Sequence, residues 1–136
     1  QRLNLDERVV LLPPLPQAQL WGLFARSAVS VSVTTHDGTP NTLLEAMACG
    51  SFPVAGDLES IREWITPGVN GLLVEGQKAG AIAAAVGLAL ASPELRRRAA
   101  EINYRMIAER AEVGLMRPRL EAFYAQVAGR VGQGGG

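Results

Sequence analysis

Residues 29–63 decide the fold, and they read VSVSVTTHDGTPNTLLEAMACGSFPVAGDLESIRE. The β-branched run at 29–35 predicts a strand, and the short apolar segment 52–55 predicts a second one. A helical pattern follows each of them, so the stretch alternates strand, loop and helix twice. Polar residues occupy both strand-to-helix turns, which is where open parallel sheets bind their ligands.

The helix between these two strands has residues suited to both of its ends. Thr39 can cap its amino end, and Pro40 suits the first turn, where a missing N–H costs nothing. Gly50 can end the helix in a left-handed conformation. In the same way, Asp57 can cap the helix that follows the second strand.

Two acids frame the first of the two turns. Asp37 lies on the loop, and Glu45 follows eight residues later, about two turns into the helix. Between them the first amides of the helix are free, and with the helix dipole they form a natural anion site. This arrangement fits a ligand that carries sugar, phosphate and ribose in sequence. The spacing fits equally well a capped core helix with two solvated acids, so the residues alone leave both interpretations open.

The rest of the chain predicts the order β-α-β-α-β-α-β followed by helices, a doubly wound α/β domain. The apolar run at 9–12 predicts a buried parallel strand, and residues 72–74 predict another. Trp21, on a predicted helix at 16–26, is interpreted as a packing residue. Three later helices have predicted apolar faces, namely Ile82, Val86 and Leu90 in the first, Leu95, Ala99, Ile102 and Met106 in the second, and Leu120, Phe123, Tyr124 and Val127 in the third.

Composition indicates a globular domain and excludes several classes of site. Hydrophobic residues make up 48% of the 136 residues and charged residues 19%, which is enough for a core. The 13 basic and 13 acidic residues balance, so no general attraction to nucleic acid or membranes follows. The single histidine excludes a multi-histidine metal site, and Cys49, the single cysteine, excludes an internal disulfide. Cys49 is interpreted as a small packing residue, and no apolar run reaches the roughly 18 residues of a membrane helix.

Four segments in order resemble the donor-binding half of group 1 (family 4) retaining glycosyltransferases with the GT-B fold. They are DGTPNTLLEAMACG (37–50), PV (53–54), SIRE (60–63) and GVNGLLV (68–74). The resemblance covers roughly residues 3–127 and implies a Rossmann-like parallel sheet with flanking helices. The family usually has two glutamates separated by seven residues, whereas this chain has Asp37 and Glu45, so its first carboxylate is one methylene shorter.

The resemblance implies a role for each part of the first turn. Glu45 would accept hydrogen bonds from ribose hydroxyls, and Asp37 would hold hydroxyls of the donor sugar near the reacting carbon. His36 would line the site, although a structural hydrogen bond explains a loop histidine at least as well. The donor-binding residues so implied are His36, Gly38, Thr39, Pro40, Asn41, Thr42, Leu43, Leu44 and Glu45, with Asp37 and Glu45 as the catalytic pair. The family needs no metal or other cofactor beyond its donor substrate, a nucleotide diphosphate-sugar.

The resemblance also predicts what surrounds the chain. Residues 1–128 would be a partial donor-binding domain that lacks its first strand–helix unit, and residues 129–136 a glycine-rich flexible tail. An N-terminal acceptor domain would be the missing partner, so the chain alone is expected to be inactive and could pair with a second copy of itself. A cytoplasmic location fits, with peripheral contact at the inner face of the membrane left open. A nucleotide-sugar-binding module without turnover, or less readily a nucleotide-sugar epimerase, is the alternative.

Overall fold

The computed structural model describes residues 4–35, 41–110 and the helical residues 121, 122 and 125. Residues 4–35 and 41–110 form, in order, α1 (Gln17–Arg26), β1 (Val29–Ser32), α2 (Asn41–Ala48), β2 (Phe52–Gly56), α3 (Glu59–Arg62), β3 (Leu72–Val74), α4 (Ala79–Ala91) and α5 (Pro93–Arg110). The strands form one parallel sheet in the order β1-β2-β3. This confirms the predicted Rossmann-like class, a parallel sheet with flanking helices.

Helices cover both faces of the sheet, and for this reason every residue of the central strand β2 is buried. On one face, α2, α3 and the end of α5 pack in a cluster made of Leu43, Leu44, Met47, Ala48, Ala55, Ile61, Ile65 and Ile107. On the other face, α4 and the start of α5 pack in a cluster made of Phe52, Val54, Val74, Ala85, Ala89 and Ala99. The two clusters hold the carboxyl ends of the parallel strands at one edge.

The end of α2 follows the prediction from sequence. Gly50 has a φ of 90°, the left-handed conformation that glycine adopts without strain. The amide of Ser51 donates to the carbonyl of Ala46 at 3.1 Å, and the amide of Gly50 donates to the carbonyl of Met47 at 3.1 Å. These two bonds satisfy carbonyls that the helix end would otherwise leave unpaired, and they turn the chain directly into β2.

The predicted strand at residues 9–12 is wrong. None of these residues belongs to a strand, and the side chains of Val9, Val10, Leu11 and Leu12 are 52%, 77%, 92% and 53% exposed. A parallel strand needs a hydrogen-bonded neighbour, and none of the described strands pairs with this segment. The apolar composition of residues 9–12 indicated a buried strand, but the described part of the chain contains no strand that pairs with it. The strand predicted at 29–35 is shorter than expected, because pairing ends at Ser32.

The buried stripe of α4 differs by one position from the prediction. Ile82 and Val86 pack on the core as expected, but the fully buried positions beside them are Ala85 and Ala89. Leu90 is 53% exposed. Residues 82, 85, 86 and 89 share one face of a helix with 3.6 residues per turn, whereas residue 90 has rotated about 80° away from residue 82. The alanines allow α4 to approach the sheet closely.

The buried face of α5 also differs from the prediction, since it is centred on Ala99, Asn103 and Ile107. Ile102, predicted to be buried, is 38% exposed. The burial of Asn103 could not be predicted from an apolar pattern, because Asn103 is a polar residue with no exposed surface. The last predicted apolar face lies outside the described residues at Leu120, Phe123, Tyr124 and Val127, as does the tail at 129–136.

Asp57 does not cap α3 as predicted. The capping position is occupied by Leu58, whose side chain makes no capping bond, and the helix ends at Arg62 rather than continuing to Ile65. The carboxylate of Asp57 instead accepts two bonds from the guanidinium of Arg62, at 2.6 and 2.9 Å. This forked charge pair competes for the same oxygens that a cap would need.

Candidate functional site

The candidate site lies at the edge of the sheet where the parallel strands end. Helix α2 begins at Asn41, soon after β1, so its amino end lies at this edge. The first four amides of a helix have no partner within the helix and favour an anion. Asn41 and Thr42 are exposed there, whereas the side chains of Leu43 and Leu44 are only 3% exposed and belong to the core. Leu43 and Leu44 could therefore contribute only backbone amides to a ligand.

Five of the predicted site residues lie outside the described residues, namely His36, Asp37, Gly38, Thr39 and Pro40. Their roles stay predictions from the sequence. The part of the site that the structure describes consists of the amino end of α2 and the side chains around Glu45.

Glu45 lies one turn into α2, with its side chain turned toward α1. The indole Nε1–H of Trp21 donates to Glu45 Oε2 at 2.6 Å. The side-chain amide of Gln17 donates to Glu45 Oε1 at 3.3 Å. Glu45 remains partly exposed, so its carboxylate is held in place but open to solvent.

Trp21 carries a contact that the sequence pattern did not indicate. Its interpretation as a packing residue is confirmed, because its side chain is only 5% exposed. A buried tryptophan usually finds an acceptor for its N–H, and that requirement was the one available signal for a nearby polar group. The acceptor, Glu45, lies 24 residues away in sequence, and only the packing of α1 against α2 brings the two together.

The thiol of Cys49 follows Glu45 by one turn of α2. Burial raises the pKa of Cys49 to about 11, and the negative charge of Glu45 contributes to the same shift. A thiol with this pKa is almost entirely protonated at neutral pH, so it is a poor nucleophile. The interpretation of Cys49 as a packing residue agrees with this environment.

The second strand-to-helix turn contributes an open depression of about 420 Å³, lined by Thr35, Leu58, Glu59, Ser60 and Glu63. Its lining is rich in hydroxyls and carboxylates, the groups that bind sugar hydroxyls. The backbone carbonyl of Glu63 accepts a 2.6 Å bond from Arg110, which connects this turn to the end of α5.

The described residues contain neither a metal-binding cluster nor a membrane-spanning helix. No group of three or more His, Cys, Asp or Glu side chains there is arranged to hold a metal ion. Within residues 4–35 and 41–110, none of the helices is long and apolar enough to cross a membrane.

Comparisons with known proteins agree on one family. The family model of group 1 glycosyl transferases matches residues 1–106. The chain is 34% identical over 99 residues to a D-inositol 3-phosphate glycosyltransferase of Frankia alni, which is 72% of this chain and 24% of that protein. It is 32% identical over 93 residues to a protein of the same name from Geodermatophilus obscurus, 68% of this chain and 21% of that protein.

Among solved structures, the chain is similar to a sucrose-phosphate synthase from Thermosynechococcus elongatus, with a TM-score of 0.74 and 25% identity. The match covers 96% of this chain and 31% of that structure. The chain therefore spans about a quarter of the length of the first curated relative and about a third of the structural one.

Proposed function

The chain belongs to the group 1 glycosyl transferase family, and from this premise we propose that it is the donor-binding part of a retaining glycosyltransferase. The complete protein would move a sugar from a nucleotide diphosphate-sugar to an acceptor hydroxyl, in the cytoplasm or at the inner face of its membrane. The carboxylate of Glu45, held by Trp21 one turn into α2, is the observation that supports this function best. One short segment there offers an acceptor for hydroxyls and donors for phosphate.

Glu45 is proposed to bind the ribose of the nucleotide. Vicinal hydroxyls donate two hydrogen bonds, and an ionised carboxylate accepts them without donating any. The bonds are charge-assisted, so they are stronger than bonds between neutral groups.

The amides of Asn41, Thr42, Leu43 and Leu44 are proposed to bind the diphosphate. Negative charge grows on the diphosphate as the bond to the sugar breaks, and fixed N–H dipoles stabilise that charge without reorganising. The helix dipole of α2 acts in the same direction. The proposal includes no metal and no cofactor apart from the donor substrate.

Asp37 is proposed to bind hydroxyls of the donor sugar. It precedes the first residue of α2 by four positions in sequence. His36 and Gly38 to Pro40 would complete the loop around the donor. Since the resembling family usually has the longer glutamate at the position of Asp37, the contact would require a closer approach of the loop or of the sugar.

The alternative is a module that binds nucleotide-sugars without turnover. Asp37, which is one methylene shorter than the family's usual glutamate, favours this alternative. An epimerase of related fold is a weaker alternative, and it would convert the donor with no acceptor present.

The decisive experiment titrates the full-length protein with UDP, GDP and ADP, then assays transfer from the matching labelled nucleotide-sugars. D-inositol 3-phosphate belongs in the acceptor panel, since the curated relatives are named for it. We expect one nucleoside diphosphate to bind and its sugar derivative to react only when an acceptor is present. Binding without transfer would favour the non-catalytic module, conversion without acceptor would favour the epimerase, and no binding of any nucleotide would reject all three.

A further inference from the structure

Two side chains of α1 hold the carboxylate of Glu45 from one side. Trp21 donates its indole N–H to Oε2 at 2.6 Å, and Gln17 donates an amide N–H to Oε1 at 3.3 Å. The two donors come from adjacent turns of one helix, and each contacts a different oxygen. The indole is fixed by burial, since Trp21 is only 5% exposed between α1 and α2.

We infer that Trp21 and Gln17 are positioning residues that set the Glu45 carboxylate to accept both hydroxyls of a ribose diol. This inference rests on the proposed function, in which Glu45 binds the nucleotide ribose. Under this inference, α1 determines how strongly the site selects ribose. This helix carries none of the predicted site residues.

The argument begins with the number of hydrogen bonds that a carboxylate accepts. Its two oxygens offer about four lone-pair directions in total. Among the described residues, Trp21 occupies one direction on Oε2 and Gln17 one on Oε1, so each oxygen of Glu45 keeps an open direction there. A vicinal diol donates one bond from each hydroxyl, and the held carboxylate presents one acceptor to each of them.

The second step concerns the cost of ordering the side chain. A free glutamate on a helix surface loses rotamer freedom when it binds, and that loss weakens the complex. Trp21 removes this freedom before the ligand arrives. Its indole is a donor only, so it fixes one oxygen of Glu45 without competing for the hydroxyl protons of the ribose.

The two donors should contribute unequally. The bond from Trp21 is short and partly buried, whereas the bond from Gln17 is longer and exposed to water. Hydrogen bonds weaken with length and with solvent competition. We therefore assign the main positioning role to Trp21 and a smaller one to Gln17.

A purely structural role predicts a different result. In that case the bond would only fasten α1 to α2, and its loss would lower the stability of the fold without changing how the site distinguishes ribose from deoxyribose. The affinity ratio between a nucleoside diphosphate and its 2′-deoxy counterpart separates the two roles, because it cancels effects common to both ligands.

The test measures this ratio by calorimetry in the full-length protein with whichever of UDP, GDP and ADP binds the wild type. We expect the wild type to bind the ribonucleotide about tenfold more tightly, the effect of one charge-assisted hydrogen bond. Trp21→Phe keeps an aromatic ring but removes the N–H, and it should reduce the ratio to about two- or threefold. Gln17→Met should reduce the ratio less.

Matched controls exist for both substitutions. Trp64→Phe changes the second tryptophan of the given sequence, which packs near Arg110 of α5 and is not among the described hydrogen-bond donors to Glu45. Gln19→Met changes an exposed glutamine of α1. Both controls should keep the wild-type ratio. In a Glu45→Ala background, Trp21→Phe should have no further effect on the ratio, since the group that it positions is gone.

The possible outcomes separate the inference from the proposed function. A Trp21→Phe protein with the wild-type ratio would overturn the inference and leave the ribose contact of Glu45 standing. A wild type that does not prefer the ribonucleotide, or a Glu45→Ala protein that keeps the preference, would reject the ribose contact and the inference with it.

A second measurement needs no substitution of Trp21. The indole ¹H–¹⁵N resonance of Trp21, assigned by through-bond experiments on the labelled full-length protein, should move when the ribonucleotide saturates the protein and should move less with the 2′-deoxy form. It should also shift in Glu45→Gln without any ligand. An indole resonance that stays in place both on ligand binding and in Glu45→Gln would overturn the inference, even if Trp21→Phe does not fold.

Discussion

Asn103 on α5 and Asn70 in the loop before β3 form a reciprocal hydrogen-bonded pair in the core. The side-chain amide of Asn70 donates to Asn103 Oδ1 at 2.8 Å, and the side-chain amide of Asn103 donates to the Asn70 carbonyl at 3.0 Å. Asn70 also bonds the carbonyl of Trp64 and accepts from the amide of Thr66. Asn70 and Asn103 are 3% and 0% exposed, so the pair fixes the loop against α5 without help from solvent.

Replacing Asn103 with alanine should lower the free energy of unfolding by about 3 kcal/mol. The change leaves the carbonyl of Asn70 and one of its amide hydrogens without partners, and each such buried group costs about 1–3 kcal/mol. Urea unfolding of the full-length protein is the measurement. Arg105→Ala, an exposed substitution on the same helix, is the control and should change stability by less than about 0.5 kcal/mol. Equal stabilities for the two variants would show that the pair contributes nothing.

The pair also illustrates what the sequence could and could not predict about the fold. Helix α5 was predicted from its period, but its buried face was assigned to apolar residues alone. Asn103 was missed because a polar residue is buried only when a hydrogen-bond partner lies nearby. That partner lies 33 residues away. The strand at 9–12 failed for a related reason, because strand formation depends on a neighbouring strand that an apolar run does not reveal.

Local chemistry was predicted correctly at two places, although the cap expected at Asp57 is not formed. Gly50 ends α2 in the left-handed conformation, and residues 72–74 form β3, since both features depend on a few consecutive residues. At the site, the sequence predicted Glu45 on the helix after β1. It could not predict that Trp21 donates to Glu45, because that contact depends on how α1 packs against α2.

Gly71 should not tolerate a side chain. A Cβ at this position would lie 2.8 Å from Cγ of Pro53 and 3.0 Å from both the carbonyl oxygen of Pro53 and Cγ2 of Ile65. Gly71→Ala must therefore displace backbone of the central strand, and we expect a loss of about 1–3 kcal/mol in the free energy of unfolding. Gly87, on the exposed side of α4, has nothing within 4 Å of its Cβ position.

Gly87→Ala is the matched control, and it should stabilise the fold by up to about 1 kcal/mol because alanine favours the helix. Both values come from the same urea titration. Opposite signs for the two substitutions are the expected result, and a neutral Gly71→Ala would contradict the close packing of this turn against β2.

Cys49 should make the fold less stable at alkaline pH. Burial raises its pKa from the ordinary value of 9.0 to about 11 in the folded state, and the charge of Glu45 contributes to the same shift. The unfolded chain then loses the thiol proton first as the pH rises, so this contribution to stability is complete below pH 9 and is lost between about pH 9 and 11. Cys49→Ala should therefore lose less stability than the wild type between pH 8 and pH 10.5 in urea unfolding.

Thiol reactivity provides an independent measure of the same shift. The rate of alkylation of Cys49 in the folded protein should keep rising up to about pH 10.5, without the plateau that an ordinary thiol shows. An inflection near pH 9, followed by a plateau above about pH 10, would show that the pKa of the thiol is not raised. Glu45→Gln removes the nearby charge and should move the inflection to lower pH.

Replacing Glu45 should weaken nucleotide binding, whereas replacing Asp37 should lower turnover. Glu45→Ala removes the proposed ribose contact, so affinity for the nucleoside diphosphate should fall by about 1.5–3 kcal/mol, the value of hydrogen bonds to a charged group. Asp37→Asn should leave that affinity nearly unchanged and lower kcat, because Asp37 is proposed to contact the sugar and not the nucleotide. Calorimetry with the nucleoside diphosphate and turnover with the nucleotide-sugar, both in the full-length protein, measure the two effects separately.

Asp37→Glu completes the comparison, since it restores the side-chain length found in the resembling family and should at least preserve activity. Glu109→Gln is a further control, because Glu109 is an exposed acid of α5 and is proposed to contact neither the ribose nor the sugar. If Asp37→Asn weakened nucleotide binding as strongly as Glu45→Ala, the two acids would share one ligand group. If neither variant changed binding or turnover, both would be solvated acids beside a core helix, the interpretation that their spacing alone allows.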